Sequence, residues 1–279
     1  MAKRQDVQAF VIGAPVAHSR SPVVHGYWLR RYKIGGSYSK MQVNPSELAG
    51  FISDLRVSGW AGGNVTIPHK ETILPLLDRI SETAQRIGAV NTIWVEDDHL
   101  VGDNTDGFGF TANLDAGAPG WRDEGGQHAL VLGAGGAARA VVDELARHGF
   151  CLTIANRTEK RACDLADDLA PGAAICSLED VPLAGADMVV NTTSLGMHGE
   201  EFPFDMSDLS AETLVTDIVY TPLETPLLAA AGKQGCHTVD GLGMLLHQAR
   251  PGFERWFGVA PEVTKELRAE IIADLETGA

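Results

Sequence analysis

The run "ALVLGAGGAARA", residues 129–140, constrains this chain more than any other stretch. Apolar residues lead straight into Gly133-x-Gly135-Gly136, and an amphipathic helical pattern follows. A glycine at the first position allows a tight turn. The next lets backbone N–H groups approach a pyrophosphate at a helix N-terminus. Ala138 stands where a third glycine is usual and is small enough for close helix–strand packing. A plain glycine-rich turn is the competing reading, but the strand–turn–helix context favours a dinucleotide.

The following segments extend that unit. "CLTIANR" reads as a strand, "TEKRACDLADDLA" as a helix, and "ADMVVNTT" and "TLVTDIVY" as buried central strands. "TPLLAAAGKQG" is a helix closed by Gly235, and "HTVDG" a short last strand. An NAD site usually carries an acid about 20 residues beyond the glycines. Here the second strand ends in Asn156, Arg157 and Thr158, with Arg161 one helical turn on. Two arginines so spaced can clamp a 2′-phosphate, and arginine in a first helical turn opposes the helix dipole unless an anion sits there. The expected cofactor is therefore NADP.

Upstream, strands and helices also alternate. "VQAFVIG", "GSYSKMQV" and "GWAGGNVTI" read as strands. "SPVVHGYWLRRY" reads as a helix with Ser21 as N-cap and Pro22 at its first position, and "NPSELAGFISDL" as one opening at Asn44–Pro45. "HKETILPLLD" starts a helix that Pro75 bends or breaks, and "SETAQRIG" is a short helix. "VNTIWVEDDHLVGDN" is a hairpin turning at Asp97–Asp98. This order predicts a largely parallel sheet. Residues 116–128 are polar and glycine-rich and read as a connection. After the last strand the chain is helical in period, with Pro251–Gly252 expected to interrupt the first helix, and these helices are expected to pack back on the first domain.

The 279 residues suit two modest domains, and no apolar run reaches membrane-span length. The formal charge of −15 argues against nucleic acid or an anionic membrane as partner. Cys151, Cys163, Cys176 and Cys236 form no C-x-x-C pair, so reduced thiols, a cytoplasmic location and no metal are expected.

Several polar residues stand at strand ends or helix starts. Ser19 and Ser21 flank Arg20 before a helix, where two hydroxyls can hold a carboxylate or one can simply cap. In "NVTIPHK", Pro68 stiffens the end of a strand two residues before Lys70, which is either a positioned cation or a solvated first-turn lysine. Asp106 follows Asn104 and Thr105 at a strand–helix junction, as a cap or as a working carboxylate. Loop "NTTSLGM" follows a strand of the doubly wound part, at the end where ligands sit.

Taken in order, "SRSP", "NVTIPHK", "GAVNT", "GDNTDG", "GAGGAAR", "NRTEKR", "NTTSLGM", "DIVYTPLETPLL" and "DGLGMLLHQA" resemble the shikimate dehydrogenase family over nearly the whole chain. The resemblance implies an α/β fold of two domains. Residues 1–105, completed by C-terminal helices 242–279, would form the substrate domain, with a mostly parallel sheet. Residues 106–241 would form an inserted Rossmann-type NADP-binding domain. It implies NADPH-dependent reduction of 3-dehydroshikimate to shikimate, with Lys70 and Asp106 as the catalytic pair. Ser19 and Ser21 would bind the substrate carboxylate with Tyr220 nearby, and Thr66, Lys70, Asn91, Asp106 and Gln248 would meet the ring hydroxyls. Gly133, Ala134, Gly135, Gly136 and Ala137 would form the pyrophosphate turn, and Asn156, Arg157, Thr158 and Arg161 the 2′-phosphate site. Thr193, Ile218 and Gly241 would line the nicotinamide. The expected assembly is a monomer or homodimer. Alternatives are a quinate/shikimate dehydrogenase of broader substrate or cofactor use, and a non-catalytic NADPH-binding regulator.

Overall fold

The computed structural model describes residues 6–122 and 127–277. The chain divides into two compact units, 1–105 with 245–279, and 106–244.

The first unit opens β1 (Val7–Gly13), α1 (Ser21–Arg31), β2 (Gly36–Gln42), α2 (Leu48–Leu55), β3 (Gly62–Val65) and the single-turn α3 (His69–Thr72). A 3₁₀ turn over Leu74–Leu76 then contains Pro75. Strand β4 (Arg79–Ile80), α4 (Glu82–Ile87), β5 (Thr92–Glu96) and β6 (His99–Asp103) follow. The sheet runs β2-β1-β3-β5-β6-β4. β1 pairs in parallel with β2 and β3, and β4 with β6. The largely parallel expectation holds for these three ladders, while β5 is antiparallel to both β3 and β6. The β5–β6 pairing is the expected hairpin, its tight turn at Asp97 and Asp98, both at positive φ.

Three local expectations also change. The helix after β2 starts at Leu48, not at Asn44, because the Glu47 carboxylate reaches back to the Asn44 N–H (2.8 Å) and holds residues 44–47 as a turn. Ser21 is the first residue of α1 rather than its N-cap, a place taken by Arg20 without a side-chain bond. Strand β3 ends at Val65, yet Thr66 N still donates to Ile12 O (2.9 Å), and Ile67 O accepts from Ala14 N (3.0 Å).

The second unit begins with α5 (Asp106–Gly117), so the connection expected from Ala116 starts two residues later. Residues 123–126 of that connection lie outside the described residues. Then come β7 (His128–Leu132), α6 (Gly136–Arg147), β8 (Cys151–Ala155), α7 (Glu159–Leu169), β9 (Ala174–Cys176), β10 (Met188–Asn191), β11 (Leu214–Asp217), α8 (Pro226–Lys233) and β12 (His237–Val239). Every ladder in the order β12-β11-β10-β7-β8-β9 is parallel. The strand order reverses between β7 and β10, which makes their carboxyl ends the switch point of a doubly wound sheet. Alternation along β7 feeds two cores, Leu130 and Leu132 with α8 on one face, Ala129 and Val131 with α6 and α7 on the other.

The last helices are α9 (Leu242–Phe257) and α10 (Lys265–Thr277). Pro251 does not interrupt α9. Leu246, Ala249, Phe253 and Trp256 recur on one helical face and are all buried. That burial outweighs the backbone donor missing at Pro251.

Candidate functional site

In the first unit four of the expected site residues, Ser19, Ser21, Asn91 and Gln248, lie along one hydrogen-bonded network. Ser19 Oγ accepts the Ser21 backbone N–H (3.3 Å) and donates to Ser21 Oγ (3.2 Å). The Arg20 side chain between them pairs with Asp274 of α10 at 3.0 Å. Ser21 is buried and bonds Tyr38. The Tyr38 hydroxyl donates to Asn64 Oδ1 (2.6 Å), and burial pushes its phenol well above the usual tyrosine range. Asn64 Nδ2 donates to Asn91 O (3.2 Å) and Thr92 Oγ1 (3.1 Å). Asn91 Oδ1 accepts the Thr105 N–H (2.8 Å), Asn91 Nδ2 donates to Gln248 Oε1 (3.2 Å), and the Thr105 hydroxyl donates to Gln248 O (2.9 Å). Thus Ser19, Ser21, Asn91 and Gln248 are linked through buried side chains. Tyr38 and Asn64 were missed, although the alternation of β2 and the polar residue inside an otherwise apolar β3 were readable signals.

Thr66 and Lys70 are set by the turn after β3. Thr66 packs so closely on β1 that a Cβ added to Gly13 would lie 2.5 Å from its Cγ2. The Ile67–Pro68 peptide is cis. Next to Lys70, the fully buried His69 bonds Val43 O through Nε2 (2.7 Å), and Lys70 O accepts the Val90 N–H (2.7 Å). The backbone of α3 is thereby tied to two neighbouring segments, while the Lys70 side chain stays half-buried.

A cavity of about 610 Å³ in this unit is lined by Thr92 and Thr105 of the network, with Trp94, Asp103, Glu254 and Arg255 among others, and by none of the expected substrate residues. Its two carboxylates, facing one arginine, make it a poor receptor for an anion.

In the second unit Gly133 has φ +111°, and a Cβ there would meet Thr192 Oγ1 at 2.6 Å, so only glycine fits the turn. A Cβ on Gly135 would meet nothing within 4 Å, and α6 begins with no side-chain cap and no acid in its first turn. Open backbone donors at the N-terminus of a 12-residue helix fit a pyrophosphate. At the tip of β8, Asn156 Nδ2 donates to Thr158 O (2.8 Å), which shapes the turn carrying Arg157. Arg157 and Arg161 are exposed and enter no ion pair among the described residues, so both are available to a phosphate.

At the carboxyl ends of β10 and β11, Thr193 and Ile218 are brought together. Ile218 N donates to Asn191 O (3.0 Å), and Asn191 Oδ1 accepts from Thr193 N (3.0 Å) and Oγ1 (2.7 Å). Gly241 lies against the same strand end, since a Cβ there would meet Ile218 O at 2.5 Å. Tyr220 follows in the same loop, half-buried, and Asp106 is buried at the start of α5. Asp217, which sequence reasoning passed over as part of a strand, is fully buried with its carboxyl pushed up to about 6 by that burial.

Comparison with known proteins gives the same picture from another direction. Residues 11–93 match the shikimate dehydrogenase substrate-binding domain, 121–198 the shikimate/quinate 5-dehydrogenase model and 241–266 the shikimate 5′-dehydrogenase C-terminal domain. The shikimate dehydrogenase (NADP(+)) of Mesorhizobium japonicum is 54% identical over 272 residues, 96% of each chain. A crystal structure of a shikimate dehydrogenase in complex with NADP+ superposes with a TM-score of 0.91 at 36% identity, over 99% of this chain and 98% of that one. The Thermus thermophilus enzyme, crystallised with NADP(H) and shikimate, gives 0.86 at 35% identity, over 98% and 100%. Matched in this way along nearly its full length, the chain belongs to the shikimate dehydrogenase family.

Proposed function

We propose that this chain catalyses the reversible reduction of 3-dehydroshikimate to shikimate with NADPH. The observation that carries the reading is the buried network from Ser21 through Tyr38, Asn64 and Asn91 to Gln248. It presents hydroxyl groups at one end and amide groups at the other, the pairing required by a ring that bears a carboxylate and several hydroxyls. Ser19 and Ser21 take the carboxylate, with Tyr220 beside it. Thr66, Asn91 and Gln248 bond ring hydroxyls. When bound, NADPH supplies the hydride that reduces the C3 carbonyl. Lys70 then meets the negative charge developing on that oxygen and donates a proton to it, while Asp106 binds the neighbouring hydroxyl and favours the charged lysine.

On the cofactor side, Gly133–Ala137 cradle the pyrophosphate. Asn156, Arg157, Thr158 and Arg161 hold the 2′-phosphate, and Thr193, Ile218 and Gly241 line the nicotinamide. Residues 1–105 with the last helices act as the substrate domain, and the intervening segment as the NADP domain. The four free thiols suit a reducing, cytoplasmic setting, and no helix among the described residues is long and apolar enough to cross a membrane.

The test is a matrix of shikimate or quinate against NADP or NAD. Shikimate with NADP should give the highest kcat/KM. A higher value with quinate, or with NAD, would move the chain to the broader dehydrogenases. No turnover in any arm, with NADPH still bound, would leave a cofactor-binding regulator.

A further inference from the structure

Asp217 ends β11 and has no surface exposure, yet none of the roles above uses it. Its carboxylate is fully engaged. Oδ1 accepts from Asn191 Nδ2 (2.9 Å) and from Val219 N (2.9 Å), and Oδ2 accepts from the Thr225 hydroxyl (2.7 Å). Each partner belongs to a different piece of chain. Asn191 ends β10, Val219 lies between Ile218 and Tyr220, and Thr225 is the N-cap of α8, where its hydroxyl takes the Leu228 N–H.

The network continues outward through Asn191. Its Nδ2 also donates to Leu195 O (3.2 Å), its Oδ1 takes both donors of Thr193, and Thr193 Oγ1 in turn accepts the Leu195 N–H (3.1 Å). Two loops at the carboxyl ends of adjacent parallel strands are thus bonded to one buried acid. Burying a carboxylate is costly unless donors surround it, and once they do, its removal leaves several donors unpaired at once. Such a group specifies one arrangement of the loops around it.

We propose that Asp217, acting through Asn191, is a positioning residue for the nicotinamide end of the cofactor: it sets Thr193, Ile218 and the loop to Tyr220 in the one geometry that holds the ring for hydride transfer. This rests on the NADP reading given above. It divides the cofactor site into two halves, a 2′-phosphate and pyrophosphate half anchored by β7, β8 and their turns, and a nicotinamide half anchored by Asp217.

Counting donors and acceptors separates two variants of Asp217. In Asp217→Asn the amide oxygen can still face Asn191 and Val219, while its NH₂ donates to the Thr225 oxygen, so the arrangement survives. In Asp217→Leu the branching of the side chain is kept, but Asn191, Val219 and Thr225 all lose their acceptor. Asn191→Ala breaks the link from the other side and leaves the bonds of Asp217 to Val219 and Thr225 in place.

The experiment uses the full chain and three readouts: the affinity of 2′,5′-ADP, the fluorescence lifetime of bound NADPH, and kcat with shikimate. In Asp217→Leu and Asn191→Ala, 2′,5′-ADP affinity should stay within about twofold while the NADPH lifetime falls toward the free value and kcat drops roughly 10²-fold, the effect of a misplacement of about 1 Å. Asp217→Asn should recover most of the lifetime. A cooperatively melting Asp217→Leu or Asn191→Ala protein with parent-like NADPH lifetime would overturn the proposal. So would parallel loss of 2′,5′-ADP binding and lifetime, which marks a merely structural residue. Failure of the parent chain itself to bind 2′,5′-ADP would instead remove the NADP reading on which the proposal stands.

Discussion

Lys70 is the residue on which the proposed chemistry turns, and its backbone is the best-anchored part of its surroundings. His69 is locked by Val43 O on one side, and Lys70 O by Val90 N on the other. Lys70→Ala should therefore leave the fold intact and lower kcat by roughly 10²–10⁴-fold, the usual contribution of a positioned acid–base group. NADP titration should show unchanged affinity. A variant with near-normal kcat would make Lys70 an ordinary solvated lysine. The arginines at β8 give the second test at this scale. Replacing Arg157 and Arg161 together by neutral residues should weaken NADP roughly 10–100-fold while NAD binding barely moves, because only the 2′-phosphate contacts are lost. An unchanged preference between the cofactors would remove them from the site. These residue types were legible because a bare cation at a strand tip or helix start has few structural uses. Ser19 shows the limit. Its hydroxyl takes the Ser21 N–H, a bond that depends on Arg20 rather than Ser21 standing at the N-cap, and a difference of one residue at a helix end is beyond what side-chain pattern alone specifies.

At the scale of elements, Gly13 decides how closely β1 and the turn after β3 approach. A methyl group there would lie 2.5 Å from Thr66 Cγ2 and 3.0 Å from Ile67 O. Gly13→Ala should push Thr66 away, raise KM for shikimate and cost about 1–3 kcal/mol of stability by overpacking. Unchanged KM would show that Thr66 does not meet the substrate. The glycine itself was visible, but not its neighbour across the sheet, since sequence records positions along a strand and not partners beside it. For the same reason the doubly wound half was readable almost element by element. Each strand there is a short apolar run followed by a helix, and one topology dominates such a pattern. In the first sheet the hairpin of β5 and β6 was readable, but the antiparallel pairing of β5 with β3 was not. In α9 a proline gave the wrong local signal, and four buried side chains on one face overrode it.

Across the whole molecule, two buried ionisable groups set opposite responses to acid. His25 lies in the first unit, stacked on Tyr38 with ring centroids 4.0 Å apart, and burial lowers its pKa to about 3. Below the ordinary histidine value of 6.5 the unfolded chain takes up a proton that the native ring refuses, so stability falls as pH drops from about 6.5 toward 3, by up to about 1.4 kcal/mol per pH unit. Asp217, in the second unit, has its pKa raised to about 6. It keeps its proton in the native state where the unfolded chain has lost it. Its contribution is therefore complete below the ordinary value of 3.8 and is lost as pH rises through 6. Denaturant titrations between pH 4 and 6 should show the His25→Phe chain losing part of its acid sensitivity, and Asp217→Asn moving the profile the other way. Equal pH slopes in parent and His25→Phe would contradict the buried neutral ring. Neither group was visible beforehand as a titrating site, because burial belongs to the assembled core and not to the residue.

The division of the chain has a further consequence for its synthesis. Residues 106–244 form a contiguous unit, whereas the first unit needs residues 245–279 to be complete. Trp28 donates to Glu262 O (2.9 Å), and the aromatic cluster around His25 and Trp28 is closed by Phe253 and Trp256. On a translating ribosome the middle of the protein can therefore finish folding first. The beginning must wait, its aromatic core open, until the last helices emerge. That interval is when a nascent chain is most prone to associate with its neighbours, and when a chaperone would have the most apolar surface to hold.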